Sequence, residues 1–497
     1  MGAAKQPTAY QMYIDGRWAG AESGASFDVL NPATEEVIAT APEASRDEMR
    51  RAIAAARQAF DEGPWPRMAQ RERARILQQI ADGLSANRER LAGLLTAEVG
   101  CAQFLVPIQL DDPIRFAHYY AELTPKIDFE EPLPPLVGDT HFGPAAMTQM
   151  LVVRQPIGVV GAINTWNFPL YVLIQKVLPA LASGCTLVVK ASPFAPLLNL
   201  EVARIIDETD LPTGVFNVVT GESAELGEEI VANQMVDKVS FTGSVPTGKR
   251  IAEAAARNLT RVHLELGGKS AAIVLDDVDL DLVAPALTGP TFVHAGQACA
   301  ASTRCLVPAK LYDRALEKMV GFVTKLKVGN PSDPAVMVGP LIREVRRTAV
   351  EEFIRVGREE GATLATGGKR PPDAERGYFL EPTIFSDVRN DMRIASEEIF
   401  GPVLAVMPYS DIDEAVRIAN DSRYGLSGSV VTFSPARGLE VAKRLRTGSV
   451  LITRGGGSPG ATTFMVAPFG GFKESGIGRE GGKYGVFEFT EIQSIAW

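Results

Sequence analysis

From residue 156 onward the chain repeats one pattern: a short aliphatic and β-branched run, a turn, a helical stretch, then another apolar run. The apolar runs fall at 158–163, 186–190, 215–219 and 239–241, with helical patterns between and after them at 171–182, 197–206, 224–231 and 248–255. A strand exposed on one face alternates apolar and polar residues. These runs are apolar almost throughout, so both faces must be covered. Such strands, separated by helices, predict a parallel sheet flanked on both sides, which takes ligands at the carboxyl ends of its strands. A second α/β stretch follows, with strand-like runs at 271–275, 304–307 and 404–407 and helical patterns at 311–326 and 345–359.

The N-terminal part reads differently. Ser45 and Glu48 form a capping-box pair, and Met49, Ile53, Ala56 and Phe60 line one helical face. Further helices carry Ile76, Ile80 and Leu84, and residues 91–99 up to Gly100. Periodicity fails at 128–148, where Glu-Glu-Pro-Leu-Pro-Pro at 130–135 predicts an excursion from the domain body before a strand-like 150–154. The glycine-rich run 455–460 reads as a flexible loop, and the weak alternation of 486–497 as a strand seeking a partner.

Composition removes several functions. With 497 residues the chain suggests roughly three domains, or two large ones with appendages. Its 50 basic and 60 acidic residues leave a net charge of −10, which gives no footprint for nucleic acid or anionic membranes. The four cysteines form no CxxC pair, and with four histidines they give no zinc-ligand spacing. No apolar run approaches a membrane span, and residues 1–6 hold no signal core, so a cytoplasmic protein is expected.

Residues 243–249, Gly-Ser-Val-Pro-Thr-Gly-Lys, almost spell a phosphate-binding P-loop, but Arg250 stands where the magnesium-binding hydroxyl belongs. An NTPase is rejected. The choice left is a pyrophosphate site at a helix N-terminus or a plain tight turn. Cys299 lies among small residues that leave its sulfur unshielded, whereas Cys101, Cys185 and Cys305 read as inert buried thiols. His294 reads as an ordinary loop residue. Glu265, between Leu264 and Leu266, is either half-exposed on a strand or a desolvated carboxylate suited to general-base work. Asn167 stands where a strand gives way to a helix; it could donate to an oxyanion, but capping the helix is the default.

Together these blocks resemble the NAD(P)-dependent aldehyde dehydrogenase superfamily over essentially the whole chain. The resemblance rests on Tyr-Ile-Asp-Gly-Arg-Trp at 13–18, Asn-Pro-Ala-Thr at 31–34, Trp-Asn-Phe-Pro at 166–169 and Phe-Thr-Gly-Ser at 241–244. It continues in Glu-Leu-Gly-Gly-Lys at 265–269, Gly-Gln-Ala-Cys at 296–299, Glu-Ile-Phe-Gly-Pro at 398–402 and Pro-Phe-Gly-Gly-Phe-Lys at 468–473. Cys299 follows Glu265 by 34 residues, as in the family pattern. The resemblance implies Cys299 as nucleophile, Asn167 and the Cys299 N–H as oxyanion hole, Glu265 as the base for thioester hydrolysis, and Lys176 with Glu480 as a proton relay. For NAD or NADP it implies Ile163, Thr165, Trp166, Lys190, Ser192, Pro193, Phe241, Gly243, Ser244, Leu266, Gly267, Glu398 and Phe400. It implies no metal.

The implied fold is α/β: a Rossmann-like doubly wound cofactor domain (1–127 and 156–264), a second α/β catalytic domain (265–450) and a small β oligomerisation arm (128–155 and 484–497). A homodimer or homotetramer acting on a small aldehyde is expected, without nucleic acid or membrane. Five positions depart from the pattern. Pro193 replaces a frequent ribose-binding glutamate, which opens the site to NADP, and Ala191 replaces a usual proline. Thr453 replaces a common asparagine, and Gln175 and Val293 stand where aromatic tunnel walls are frequent. The alternatives are a CoA-acylating semialdehyde dehydrogenase, against which Glu265 argues, a catalytically silent structural protein on the same scaffold, and a cysteine hydrolase, disfavoured for want of a Cys–His pairing.

Overall fold

The computed structural model describes residues 7–140, 143–454 and 466–497; residues 1–6 and the glycine-rich run 455–460 lie outside the described residues. Two large sheets dominate. The first has eight strands in the order Gly476–Ile477, Arg261–Glu265, Lys238–Thr242, Val159–Ile163, Thr186–Lys190, Phe216–Val219, Met12–Ile14, Arg17–Ala19. The strands from Arg261–Glu265 to Phe216–Val219 run parallel, and the flanking ones antiparallel. From Val159–Ile163 the chain steps outward through two strands on one side, then returns to place Lys238–Thr242 on the other. That reversal opens a crevice beyond the carboxyl ends of the two adjoining strands.

The predicted central elements form as expected because their residues are buried from both sides. All of Thr186–Lys190 is buried. So is all of the helix Pro169–Ser183 apart from Tyr171 and Val172. The helix Arg46–Asp61 opens with the expected capping box: Ser45 Oγ accepts from Glu48 N at 3.3 Å, and Glu48 Oε2 accepts from Ser45 N at 2.7 Å.

The second sheet has seven strands in the order Thr363–Thr366, Thr383–Ser386, Val403–Tyr409, Arg304–Pro308, Ala271–Val274, Ser427–Val431, Ser449–Thr453. All are parallel except Thr363–Thr366. It closes on its own core, with Ile273, Leu306, Phe385 and Val430 at its centre. Several of its strands carry weak sequence signals. Three of the five residues of Ser427–Val431 are serine or glycine, and the strand forms because its neighbours cover it.

The excursion expected at 128–148 is built of strands: the proline-rich segment forms the strand Glu130–Thr140, paired antiparallel with Gly143–Pro156. The register shifts between Leu133 and Leu136 and between Gly138 and Thr140. Glu130–Thr140 is an edge strand, where prolines cost no ladder hydrogen bond, so the breaker signal misleads. On the other side Gly143–Pro156 pairs with Thr490–Ala496, the partner that the C-terminal alternation sought. Among the described residues no helix is long and apolar enough to cross a membrane.

Candidate active site

A cavity of about 910 Å³ occupies the crevice at the strand reversal and extends to the edge of the second sheet. The segment after Val159–Ile163 contributes Thr165, Trp166, Asn167 and Phe168 to its wall, and the turn after Lys238–Thr242 contributes Thr242, Gly243 and Ser244. Glu265 enters from the end of the next strand, followed by Leu266 and Gly267; Ala298, Cys299 and Ala300 enter from the second sheet's side. Residues far apart in sequence thus share one surface because the carboxyl ends of the first sheet's parallel strands face the segments that lead into the second sheet's strands Arg304–Pro308 and Val403–Tyr409.

Cys299 is half-buried, while Cys101, Cys185 and Cys305 are buried. Its approach is strained. His294 and Ala295 hold φ of 50° and 54°, and Gly296 follows at 74°, where a side chain would collide with the Gly401 carbonyl. Gln297 clamps the turn: its amide nitrogen donates to His294 O at 3.0 Å, and its Oε1 accepts from Ile342 N at 2.9 Å. Burial, then the negative charges of Glu398 and Glu265, push the Cys299 thiol up to about 12. The resting sulfur is a thiol, and a base must take its proton before it can attack.

Asn167 does not cap the helix. The position before Pro169–Ser183 is Phe168, with no side-chain cap. Instead Asn167 Nδ2 donates to Gln297 O at 2.9 Å, and Oδ1 accepts from Thr165 Oγ1 at 3.0 Å. The amide is held beside the Cys299 turn by fixed partners, with a second N–H to spare.

Glu265 is 4% exposed, which settles the choice left by sequence in favour of desolvation. Neither carboxylate oxygen has a hydrogen-bond partner among the described residues. Burial, then the charge of Glu480, hold its carboxyl well above the usual range, against the pull of Lys176 and Arg479. Behind it Lys176, fully buried, donates to Glu480 Oε1 at 2.9 Å and to Ser240 Oγ at 3.1 Å. Glu480 also reaches the cavity wall.

At the far end Glu398 Oε1 accepts from Gly268 N at 3.0 Å. A side chain on Gly267 would overlap the Glu398 carboxylate, so glycine is what lets the two meet. Burial raises the Glu398 carboxyl to about 7, against the Gly268 hydrogen bond, Lys269 and Arg346. Phe400 packs edge-on to Trp166 at 5.4 Å between centroids. Ser244 caps the helix Val245–Ala255 through Thr247 N at 3.4 Å, so a helix N-terminus opens onto the cavity beside Val245 and Pro246. That terminus, with Glu398 across the crevice, fits the pyrophosphate and ribose of a dinucleotide.

Ile163, Lys190, Ser192, Pro193 and Phe241 do not line the cavity itself. Ile163 and Lys190 are register partners at neighbouring strand ends, Ser192 and Pro193 follow them, and the Phe241 ring lies under Gly243. Burial lowers Lys190 to about 8, while Glu43 and Glu222 act to raise it. Gln175 lines the cavity and its Oε1 accepts from Tyr120 O–H at 3.2 Å; Val293 is not on the wall. His294 differs from an ordinary loop residue: it is 2% exposed, neither ring nitrogen has a partner among the described residues, and burial lowers it to about 4. It therefore gives Cys299 no charged partner. Two residues escaped the sequence reading. Gln297 had a signal in its motif, but His263, next to Glu265 in space, had only its two-residue spacing on a strand.

The pattern of the aldehyde dehydrogenase family matches residues 18–495. The betaine aldehyde dehydrogenase of Bacillus subtilis is 40% identical over 486 residues, 97% of this chain and 96% of that protein. A 3-succinoylsemialdehyde-pyridine dehydrogenase of a Pseudomonas species is 42% identical over 488 residues, 98% of each. The crystal structure of a Mycobacterium tuberculosis aldehyde dehydrogenase complexed with NAD+ superposes with a TM-score of 0.92 at 40% identity, covering 99% of this chain and 98% of that one. The chain belongs to the aldehyde dehydrogenase family, enzymes that oxidise aldehydes to carboxylic acids with NAD or NADP.

Proposed function

We propose that Cys299, Asn167 and Glu265 carry the reaction and end it by hydrolysis. The observation that supports this most is their convergence on one wall of a cavity that continues to Ser244 and Glu398. The Cys299 sulfur, once deprotonated, attacks the aldehyde carbonyl and forms a thiohemiacetal. Asn167 Nδ2 and the Cys299 N–H donate to the oxygen as its charge develops. NAD or NADP, when bound, accepts the hydride. A thioester then remains on Cys299. Glu265 takes a proton from water, the resulting hydroxide attacks the thioester, and the Cys299 sulfur leaves. Its raised pKa suits this, since a base works best when its pKa lies near the working pH. Lys176 and Glu480 lie behind Glu265 as the relay that carries its proton away.

Ser244 and the helix behind it take the pyrophosphate, with Thr165, Trp166, Gly243, Leu266 and Gly267 around it. Glu398 and Phe400 clamp the nicotinamide ribose, and Lys190, with Ile163, Ser192, Pro193 and Phe241, forms the adenosine side. The eight-stranded sheet is the core of the cofactor domain, the seven-stranded sheet that of the catalytic domain. The three-stranded sheet of Glu130–Thr140, Gly143–Pro156 and Thr490–Ala496 is the oligomerisation arm of a cytoplasmic homodimer or homotetramer. Leu136 and Ile492 are exposed on one face of that arm and Val137 and Trp497 on the other, apolar surface that a second copy would cover.

An assay of NAD(P)H formation across an aldehyde panel, with both cofactors and with or without CoA, tests this reading. Glu265→Gln keeps the shape but cannot accept a proton, so a burst near one NAD(P)H per site should precede turnover slowed by roughly 10²–10⁴. Acyl-CoA as the product, or unchanged turnover in Glu265→Gln, would overturn hydrolysis by Glu265.

A further inference from the structure

The proposed steps do not use His263, yet it lies against their base. It stands two residues before Glu265 on the strand Arg261–Glu265, so both side chains leave the same face. The ring is 1% exposed, and Nε2 lies 3.4 Å from Glu265 Oε1. Neither Nε2 nor either Glu265 oxygen has a hydrogen-bond partner among the described residues. On the other side Nδ1 lies 3.3 Å from the hydroxyl of Ser240, its register partner on Lys238–Thr242.

The tautomer is assigned from the donors in this buried row. Lys176 has only hydrogens to offer, so Ser240 Oγ accepts from it at 3.1 Å. The Ser240 hydroxyl hydrogen is then free to donate to His263 Nδ1. With Nδ1 accepting, the ring hydrogen sits on Nε2 and faces Glu265. The other acceptor near Nδ1, Glu480 Oε1, is 3.8 Å away and already engaged by Lys176. Burial, then the positive charges of Lys176, Lys238 and Arg479, hold His263 well below its ordinary value, so the ring is neutral. A buried N–H without an acceptor is costly unless an acceptor comes to it.

We propose that His263 is a positioning residue for the hydrolytic base: its Nε2–H is the donor onto which the Glu265 carboxylate turns when it ionises. The inference rests on Glu265 being that base. Closing 3.4 Å to an ordinary hydrogen bond needs only a small side-chain rotation. The charged groups around Glu265 divide: Glu480 and Glu488 oppose its ionisation, while Lys176 and Arg479 favour it. A donor to the ionised form adds to the favouring side and lowers the pH at which the base works. Without it the acid limb of turnover should move to higher pH by about one to two units, the reach of one hydrogen bond to a charge.

The test compares His263→Gln, His263→Asn and His263→Leu in turnover against pH, beside the NAD(P)H burst. The Gln amide nitrogen overlies Nε2, whereas the Asn amide overlies Nδ1. Gln should therefore keep the wild-type limb, while Asn and Leu move it up with the burst and aldehyde KM retained. An unmoved limb in Asn, or equal shifts in Gln and Asn, would overturn the proposal. If Leu does not fold, the Gln–Asn pair decides alone. Glu265→Gln separates the two readings. A burst without turnover upholds the base whatever His263 shows, whereas unchanged turnover, or no burst, removes the base and the role of His263 with it.

Discussion

Gly267→Ala is a steric test of the cofactor end of the site. Gly267 does not adopt a positive φ, so alanine suits its backbone. The obstacle is Glu398: the new Cβ would sit 2.6 Å from its Cδ and 2.8 Å from Oε1. The carboxylate ends a flexible side chain and will swing away before the backbone moves. It then loses the Gly268 N–H at 3.0 Å. A hydrogen bond to a charged group is worth about 1.5–3 kcal/mol net, or roughly 10- to 150-fold in an equilibrium. If Glu398 holds the nicotinamide ribose, affinity for NAD or NADP should fall by that factor with little change in Tm. Glu398 in its seat has its carboxyl raised to about 7, so wild-type binding should strengthen as pH rises through 7 and the carboxylate forms. In Glu398→Gln that dependence should vanish. Cofactor titration by quenching of protein fluorescence reads all of this. Gly267→Ala should add nothing in a Glu398→Ala background, because the group it displaces is gone. Wild-type affinity in Gly267→Ala beside a weakened Glu398→Ala would refute the steric reasoning; wild-type affinity in both would refute the clamp.

Two further outcomes test the nucleophile and the arm. Cys299→Ala should abolish aldehyde oxidation while cofactor affinity stays near wild type, and Cys305→Ala, inside the strand Arg304–Pro308, should keep most activity; comparable losses would mean the wrong sulfur. Leu136→Asp with Ile492→Asp places charge on one exposed apolar face of the arm and should shift light scattering towards the mass of one chain, whereas an unchanged mass would place the interface elsewhere.

The sequence by itself determined the layered α/β class, the capping box at Ser45 and the approximate bounds of the central strands. Burial on both faces imposes a continuous apolar run, and that signal is local. The family motifs likewise marked Cys299, Glu265 and Asn167, since each lies in a block read without its neighbours in space. Tertiary structure decided what depends on distant partners. The prolines at 132, 134 and 135 break a strand unless one edge is free, and only the sheet order shows that it is. Glu265 between leucines was either exposed or desolvated until the strand Gly476–Ile477 and the surrounding loops buried it. Asn167 turned away from its helix because Gln297 O, 130 residues on, offers an acceptor beside the nucleophile. His263 carried no motif at all. Lys176, Ser240 and Glu480 come together behind its ring from three other segments, and only that gathering supplies the partners from which the ring hydrogen is assigned.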